Sequence, residues 1–375
     1  MNGCADGGMI RNAGALRDAC GRLRADGLAA LDTEFVWRNT NRPRLSLVQL
    51  GARDGTSWTE DCLLALDPSA LADLLRDAGT VKVLHDAHQD LDHLFHYTGA
   101  TPVNVFDTQL AAAFAGLPAG LSLQKLVFET AGIGLAKTET TTDWMQRPLS
   151  EAQVAYALDD VRHLGDVRAE LLARADRLGT RAWLEEEMAR FDDPSLYGDP
   201  DPRAVWTRVK CGRVRLDRRG LALLRALAAV RETCARTWNL PRTWLADDAS
   251  LAEMAAGGAV EADRLRFRNR LRSRGQRDTL AASFARAMRE AAAEPEADWP
   301  EDPHPHYIPE VLAAAEGALE FLRTRAEALH VAPGVVANRA TVTAFVDNPD
   351  DAANPLARGW RFEQFGREMA ETFAV

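Results

Sequence analysis

The chain has no apolar run of roughly 18 residues among its 375, which argues against a membrane-spanning helix. Its first stretch, MNGCADGGMIRNAG, lacks the basic start and apolar centre of a secretory signal. Cysteine is sparse and unpatterned: Cys4, Cys20, Cys62, Cys211 and Cys234 are odd in number and form no CxxC. That usage excludes a disulfide framework and suits reduced thiols. Together these absences lead us to expect a cytoplasmic protein with no membrane partner. A hydrophobic content of 46% and a charged content of 27% are ordinary for a globular chain. The length suffices for two or three domains with separate cores.

The formal net charge is −10, which looks wrong for a nucleic-acid-binding protein. It is unevenly placed. Residues 201–280 carry 18 Arg and Lys against 9 Asp and Glu, a balance of +9, leaving −19 for the remainder. The asymmetry fits an acidic domain joined to a basic module that meets phosphates; ordinary solvated helices are the plainer alternative.

Residues 15 to about 190 alternate strand-like and helical patterns, the mark of an α/β domain. AALDTEF, LSLVQLG and VKVLH are the expected strands. FDTQLAAAF opens at a capping Asp107, and LSLQKLVFETAG ends at Gly132 as its C-cap. A loop rich in Pro, Gly and Asp over 192–202 marks a domain boundary, and the proline-rich stretch 294–309 marks another. Residues 213–291 and 309–375 read as helical throughout, including an arginine-rich helix pair.

Four acidic residues in three ordered pieces dominate the sequence. Asp32 and Glu34 lie two apart at the end of a strand and share a face. Asp90 opens a helix whose apolar side is Leu91, Leu94 and Phe95. Tyr156 and Asp160 lie four apart on one helix face. Such carboxylates repel in a common site unless a cation joins them, and hard divalent ions take oxygen ligands. A pair of ions of this kind can activate water and stabilise the leaving oxygen of a phosphodiester. The pattern points to a metal-dependent nuclease. A strand-ending acid, a helix-dipole partner and an ordinary surface acid are the plain alternatives for Asp32, Asp90 and Asp160, with Asp159 as a rival to Asp160.

LDTEFVWRNTNRPRLSLVQLG, KVLHDAHQDLDHL and YALDDVRHL resemble, in that order, the three exonuclease motifs of the ribonuclease D family. Residues 213–291 resemble an HRDC domain, the helical module of ribonuclease D and RecQ-type helicases, and LARGWRFEQFG is similar to a second module of that kind. The resemblance covers essentially the whole chain. It departs from the pattern in Asp86 and His88 beside Asp90, and in the missing proline late in the helical module.

The resemblance implies an α/β ribonuclease H-like exonuclease domain with a mixed sheet over 1–195, a linker over 196–212, an HRDC domain over 213–291, a linker over 292–308 and an HRDC-like module over 309–375. It implies that Asp32, Glu34, Asp90 and Asp160 hold two divalent ions, Mg²⁺ or Mn²⁺, with Asp32 bridging them and Tyr156 acting on the water. Tyrosine in place of histidine would put the chain in the tyrosine-type branch. The implied activity is 3′→5′ hydrolysis of RNA with a free 3′ end, releasing nucleoside 5′-monophosphates, with tRNA precursors as the substrate class. Phe35, Gln49, Lys137, Arg264, Arg266, Arg268, Arg270 and Arg272 are candidate RNA contacts, and Gln109 is a further one. Trp206 and Phe267 are candidates for base stacking, with core packing as the simpler reading. His85, His88, His93 and His96 invite a zinc site, but His88 and His93 lie five apart and point differently on a helix, so no zinc is expected. A DNA-directed exonuclease and a non-catalytic RNA-binding protein are the competing readings.

Overall fold

The segment Leu28–Val36 alternates between two apolar surroundings before it reaches its acids, and the fold is arranged around it. A computed structural model describes residues 8–135, 142–258, 266–302 and 306–375. The chain begins with β1 (Gly8–Ile10), α1 (Ala13–Asp26), β2 (Leu28–Val36), β3 (Arg44–Gly51), β4 (Ser57–Asp61), α2 (Ser69–Arg76), β5 (Val81–Leu84), α3 (Ala87–Thr98), β6 (Val105–Asp107) and α4 (Thr108–Ala112). Helices α5 (Leu123–Ala131), α6 (Glu151–Arg162), α7 (Leu164–Leu178) and α8 (Arg181–Met188) follow. Then come α9 (Arg218–Trp238), α10 (Arg242–Leu245), α11 (Asp248–Gly257) and α12 (Arg274–Ala292). The chain closes with α13 (Pro309–Ala328), α14 (Pro333–Val336), α15 (Arg339–Asp347), α16 (Gly359–Arg361) and α17 (Arg367–Phe373). Among the described residues no helix is long and apolar enough to cross a membrane.

Two compact units result. One comprises Met1–Val36, Leu45–Gly198 and Tyr307–Val375; the other comprises Trp37–Arg44 and Asp199–His306.

The first unit holds a six-stranded sheet in the order β1-β4-β3-β2-β5-β6. Parallel pairs (β1 with β4, β2 with β5, β5 with β6) and an antiparallel pair (β3 with β4) make it mixed. Strand β2 lies inside the sheet, and its side chains alternate between two cores. Leu28 and Ala30 face one that also contains Val161, Leu164 and Val167. Ala29 and Leu31 face another with Leu16, Trp58, Leu91 and Leu94. By the same parity Asp32 and Glu34 continue the first face and Thr33 the second.

The C-terminal helices belong to this unit because they share the first core: Val311, Phe345, Trp360 and Phe365 pack with Phe114 and Leu184. A buried charge fixes the junction. Glu187 bonds both Arg361 Nη1 and, at 2.9 Å, Trp360 Nε1, and Arg190 reaches it at 2.8 Å. Burial alone would raise the Glu187 pKa, but the donors from Arg361 and Trp360 outweigh it and hold the carboxyl below its ordinary value.

The second unit has its own core, built by Leu224, Leu227 and Ala228 of α9 against Leu251, Leu280 and Phe284. Trp206 belongs to this core, and Phe267 packs edge-on to Phe284 at 5.3 Å, so neither is free to stack on a base. The expected arginine-rich helix pair is not formed as such. Helix α12 begins only at Arg274, after the Ser273 cap, and residues 266–273 run without helix. In that stretch Arg266, Arg268, Arg270 and Arg272 are exposed while Leu271 is buried and Phe267 and Asn269 are partly so. The sequence pattern was one of alternation, and an alternating segment gains more by burying every second residue than by winding into a helix that would expose Leu271 and Phe267.

Removing the partner of a buried guanidinium leaves an uncompensated charge, at a cost of about 3–5 kcal/mol. Glu187→Ala is therefore expected to lower the chemical denaturation midpoint sharply and to open the C-terminal helices to limited proteolysis. Glu185→Ala, whose carboxylate pairs with Arg181 on the same helix at the surface, is the control; an unchanged midpoint in Glu187→Ala would contradict the role assigned to the pair.

Candidate active site

Asp32 and Glu34 leave β2 on the face toward α6, and α6 brings Asp160 to meet them. The ligand oxygens of these three carboxylates lie within 4.8 Å of one another. The approach of α6 needs an absent side chain: a Cβ on Gly51 of β3 would stand 2.8 Å from the Val161 carbonyl. The start of α6 is fixed by a reciprocal cap, Gln153 N donating to Ser150 Oγ and Ser150 N to Gln153 Oε1. Upstream, Arg147 clamps Asp61 of β4 through two bonds of 2.6 and 2.8 Å, and Ser46 Oγ of β3 donates to the Trp144 carbonyl.

Asp90 lines the same pocket but stands outside the tight group of three. It is buried and accepts a bond from Thr33 Oγ1. That hydroxyl also lies 3.2 Å from His93 Nδ1, whose ring packs edge-on to Phe35 at 4.1 Å. Burial lowers the His93 pKa to about 4, so the ring is neutral at ordinary pH. The N-terminus of α3 is tied down from another strand: Asp107 accepts from Asp86 N and Ala87 N at 3.1 and 3.0 Å, and caps α4 through Gln109 N and Leu110 N.

The pocket is about 400 Å³ and is lined by all four carboxylates, Phe35, Gln109 and Tyr156. Burial and neighbouring carboxylates raise Asp32, Glu34, Asp90 and Asp160. Asp32 is pushed well up by burial and then by Asp90, Asp160 and Glu34. Glu34 rises to about 8 through burial and Asp160; Asp90 and Asp160 rise to about 7, each mainly through burial. Tyr156 is bonded to Asp160, and burial with that carboxylate keeps its phenol protonated. An all-oxygen donor set that cannot carry its charge unaided fits a hard divalent cation.

Of the remaining expectations, Asp159 turns away to pair with Arg162, leaving Asp160 in the pocket. Gln49 is fully buried in β3, its amide without a described partner, and offers RNA no exposed atom. Its place on a strand buried on both faces, at 0% exposure, overturns it as an RNA contact. Lys137 and Arg264 lie outside the described residues. Arg266, Arg268, Arg270 and Arg272 belong to the second unit, where Arg268 pairs with Asp247 at 2.6 Å. Thr33 and His93 were missed: only the alternation of β2, which turns Thr33 away from Asp32 and Glu34, hinted that Thr33 serves Asp90.

A family model described as 3′-5′ exonuclease matches residues 8–175. Ribonuclease D of Pseudomonas paraeruginosa is 36% identical over 369 residues, covering 96% of each chain. The chain belongs to the ribonuclease D family. Ribonuclease D of Gluconacetobacter diazotrophicus is 35% identical, over 92% of this chain and 88% of that one. The crystal structure of Escherichia coli RNase D, described as an exoribonuclease involved in structured RNA processing, superposes with a TM-score of 0.83 at 27% identity over 99% and 98% of the two chains. The fold is therefore the ribonuclease H-like exonuclease domain with a mixed sheet, followed by a helix-rich part consistent with HRDC modules. As a ribonuclease D family member the chain is a 3′→5′ exoribonuclease, a hydrolase of phosphodiester bonds.

The raised carboxyls give the ion-free protein a definite pH dependence. Folded acids that hold protons the unfolded chain has released contribute stability present below the unfolded pKa and lost as pH rises through the folded one. With Glu34 at about 8 and Asp90 and Asp160 at about 7, the thermal midpoint in EDTA is expected to fall between about pH 5 and 8. Glu34→Gln flattens that slope, and Mg²⁺ raises the midpoint more at pH 8 than at pH 6. The same slope in wild type and Glu34→Gln would show that the acids are not raised.

Proposed function

We propose that Asp32, Glu34, Asp90 and Asp160 would hold two divalent ions, Mg²⁺ or Mn²⁺, and that this site removes nucleotides from the 3′ end of RNA. The convergence of Asp32, Glu34 and Asp160 from distant parts of the sequence to within 4.8 Å carries the reading. Bound ions of this kind acidify water and take up charge on a leaving oxygen. The chain's own groups supply the rest. Tyr156, kept protonated and bonded to Asp160, orients the attacking water. Thr33 and the neutral His93 hold Asp90 in place from the opposite face of β2. Phe35, steadied by His93, rests against the terminal base. Water adds to phosphorus, the bond to the 3′ oxygen of the penultimate nucleotide breaks, and that oxygen takes the proton. The products are a nucleoside 5′-monophosphate and an RNA one nucleotide shorter.

The natural substrates in this reading are structured RNAs with a free 3′ end, tRNA precursors among them. The described role of the Escherichia coli relative in structured RNA processing supports it. Residues 1–195 form the catalytic domain, while 213–291 and 309–375 are HRDC-like helical modules. The exposed Arg266, Arg270 and Arg272 of the former contribute sequence-independent phosphate contacts.

The test is hydrolysis of a 5′-labelled single-stranded RNA in Mg²⁺ or Mn²⁺, beside a DNA of the same sequence. Asp160→Asn and Glu34→Gln are each expected to lower kcat by about a hundredfold or more, the several kcal/mol that charge stabilisation by an ion supplies. Asp159→Asn, whose carboxylate faces Arg162, stays within about twofold of wild type. A ladder that is independent of divalent ions, or equal loss in the two aspartate variants, would defeat the assignment.

A further inference from the structure

One well-exposed aromatic lies where neither strand nor helix patterning singles it out. Trp37 follows Glu34 by three residues, just beyond the end of β2, and is 58% exposed. With the loop 37–44 it folds into the second unit, where it borders a cavity of about 380 Å³. A single exposed indole is unremarkable on a protein surface. This one shares its cavity with three guanidiniums, those of Arg208, Arg231 and Arg242, against the one carboxylate of Asp248.

Two of those arginines are already committed. Arg231 is buried and bonds the Ala246 carbonyl and Asp248 at 3.1 and 2.8 Å, which cancels the carboxylate. Arg242 pairs with Glu232 at 3.2 Å. Arg208 is exposed and, among the described residues, has no side-chain bond or ion pair, so its planar donor fork is open to an anion. The loop itself is held at two points: Asn41 N donates to Asn239 Oδ1 at 3.1 Å, and Arg42 pairs with Asp199. The loop that carries the indole is thus anchored four and five residues beyond it, which lowers the cost of ordering it on a ligand.

We propose that Trp37 and Arg208 form a binding site for an unpaired nucleotide of RNA, the indole stacking on the base and the guanidinium pairing with its phosphate. The cavity falls within the range of about 300–1,000 Å³ usual for small-ligand sites. A free π-face beside an uncommitted cation is the combination by which proteins hold single strands without reading their sequence. The inference rests on the chain's action on RNA, but it assigns residues outside the carboxylate pocket.

The experiment is fluorescence anisotropy of a labelled single-stranded RNA of about 12 nucleotides against the full chain in EDTA, where no turnover interferes. Trp37→Ala is expected to weaken binding about tenfold or more, and Trp37→Phe, which keeps an aromatic face, to restore most of it. Arg208→Gln weakens binding and lowers the slope of log affinity against log salt by about 0.7, one phosphate of a single strand. Blunt duplex RNA should bind Trp37→Ala and wild type alike. If Trp37→Ala binds the single strand like wild type while wild type degrades RNA, this site is overturned and the catalytic reading stands. If wild type binds no single strand in EDTA, this site is overturned; if it also degrades none in Mg²⁺ or Mn²⁺, the catalytic reading falls with it. A change in self-association of Trp37→Ala at unchanged RNA affinity assigns the surface to a protein contact and likewise overturns the proposal.

Discussion

Carboxylates that are buried together and lack a neutralising charge push each other apart, and much of the catalytic unit is built to resist that push. Asp32, Glu34 and Asp160 face one another within 4.8 Å, with Asp90 bordering the same pocket, and each has a raised pKa. A flexible loop would relax the repulsion by moving. Here Asp32 and Glu34 sit on an interior strand of a six-stranded sheet, between β3 and β5 in the strand order. Helix α6 is capped at its start and seated against Gly51, and the segment before it is tied to β4 through Arg147 and Asp61. Asp107 grips the beginning of α3 through two backbone donors, which steadies the helix that carries Asp90. The rigidity of these supports keeps a repulsive group assembled until a cation relieves it.

The same chain manages charge in three different ways. In the pocket the four acids form no ion pair with a basic side chain among the described residues, and protons or divalent ions can balance their charge. At the junction with the C-terminal helices, Glu187 is buried but fully engaged by Arg361, Trp360 and Arg190, and its pKa goes down instead of up. In the second unit the arginines are mostly at the surface, some paired, such as Arg268 with Asp247, and some open, such as Arg208. The net charge of −10 therefore conceals an acidic catalytic unit and a basic helical one. That division suits an enzyme whose active site attracts cations while its substrate is a polyanion.

Local pattern carried far where one physical rule dominated. The strand at Leu28–Val36, the helix bearing Tyr156 and Asp160, the Asp107 cap and the Gly132 terminus follow from side-chain alternation, helical spacing and cap chemistry. Where two rules competed, pattern misled. Arginine favours helix by propensity, yet 266–273 alternates exposed arginines with sheltered residues, and burial of Leu271 and Phe267 decided the outcome. Gln49 read as a polar residue available to RNA, but β3 is buried on both faces from Ser46 to Gly51, which encloses it. The strands β1 and β4 had no clear signal: β4 carries Glu60 and Asp61 in buried positions, which depends on Tyr97 and Arg147 arriving from elsewhere.

What the sequence alone determined is the inventory of the chemistry: which acids stand on which kind of element, and in what order, because spacing along a strand or helix decides which side chains share a face. The family resemblance followed from that order. What only the tertiary structure decided is proximity and environment. It set Asp160, and not its neighbour Asp159, in the pocket, joined Thr33 to Asp90 across β2, drew the loop of Trp37 into the basic unit, and packed the C-terminal helices into the catalytic core. The reason is that spacing fixes direction only within one element. Whether two directions meet depends on how sheets, helices and loops from distant parts of the chain pack.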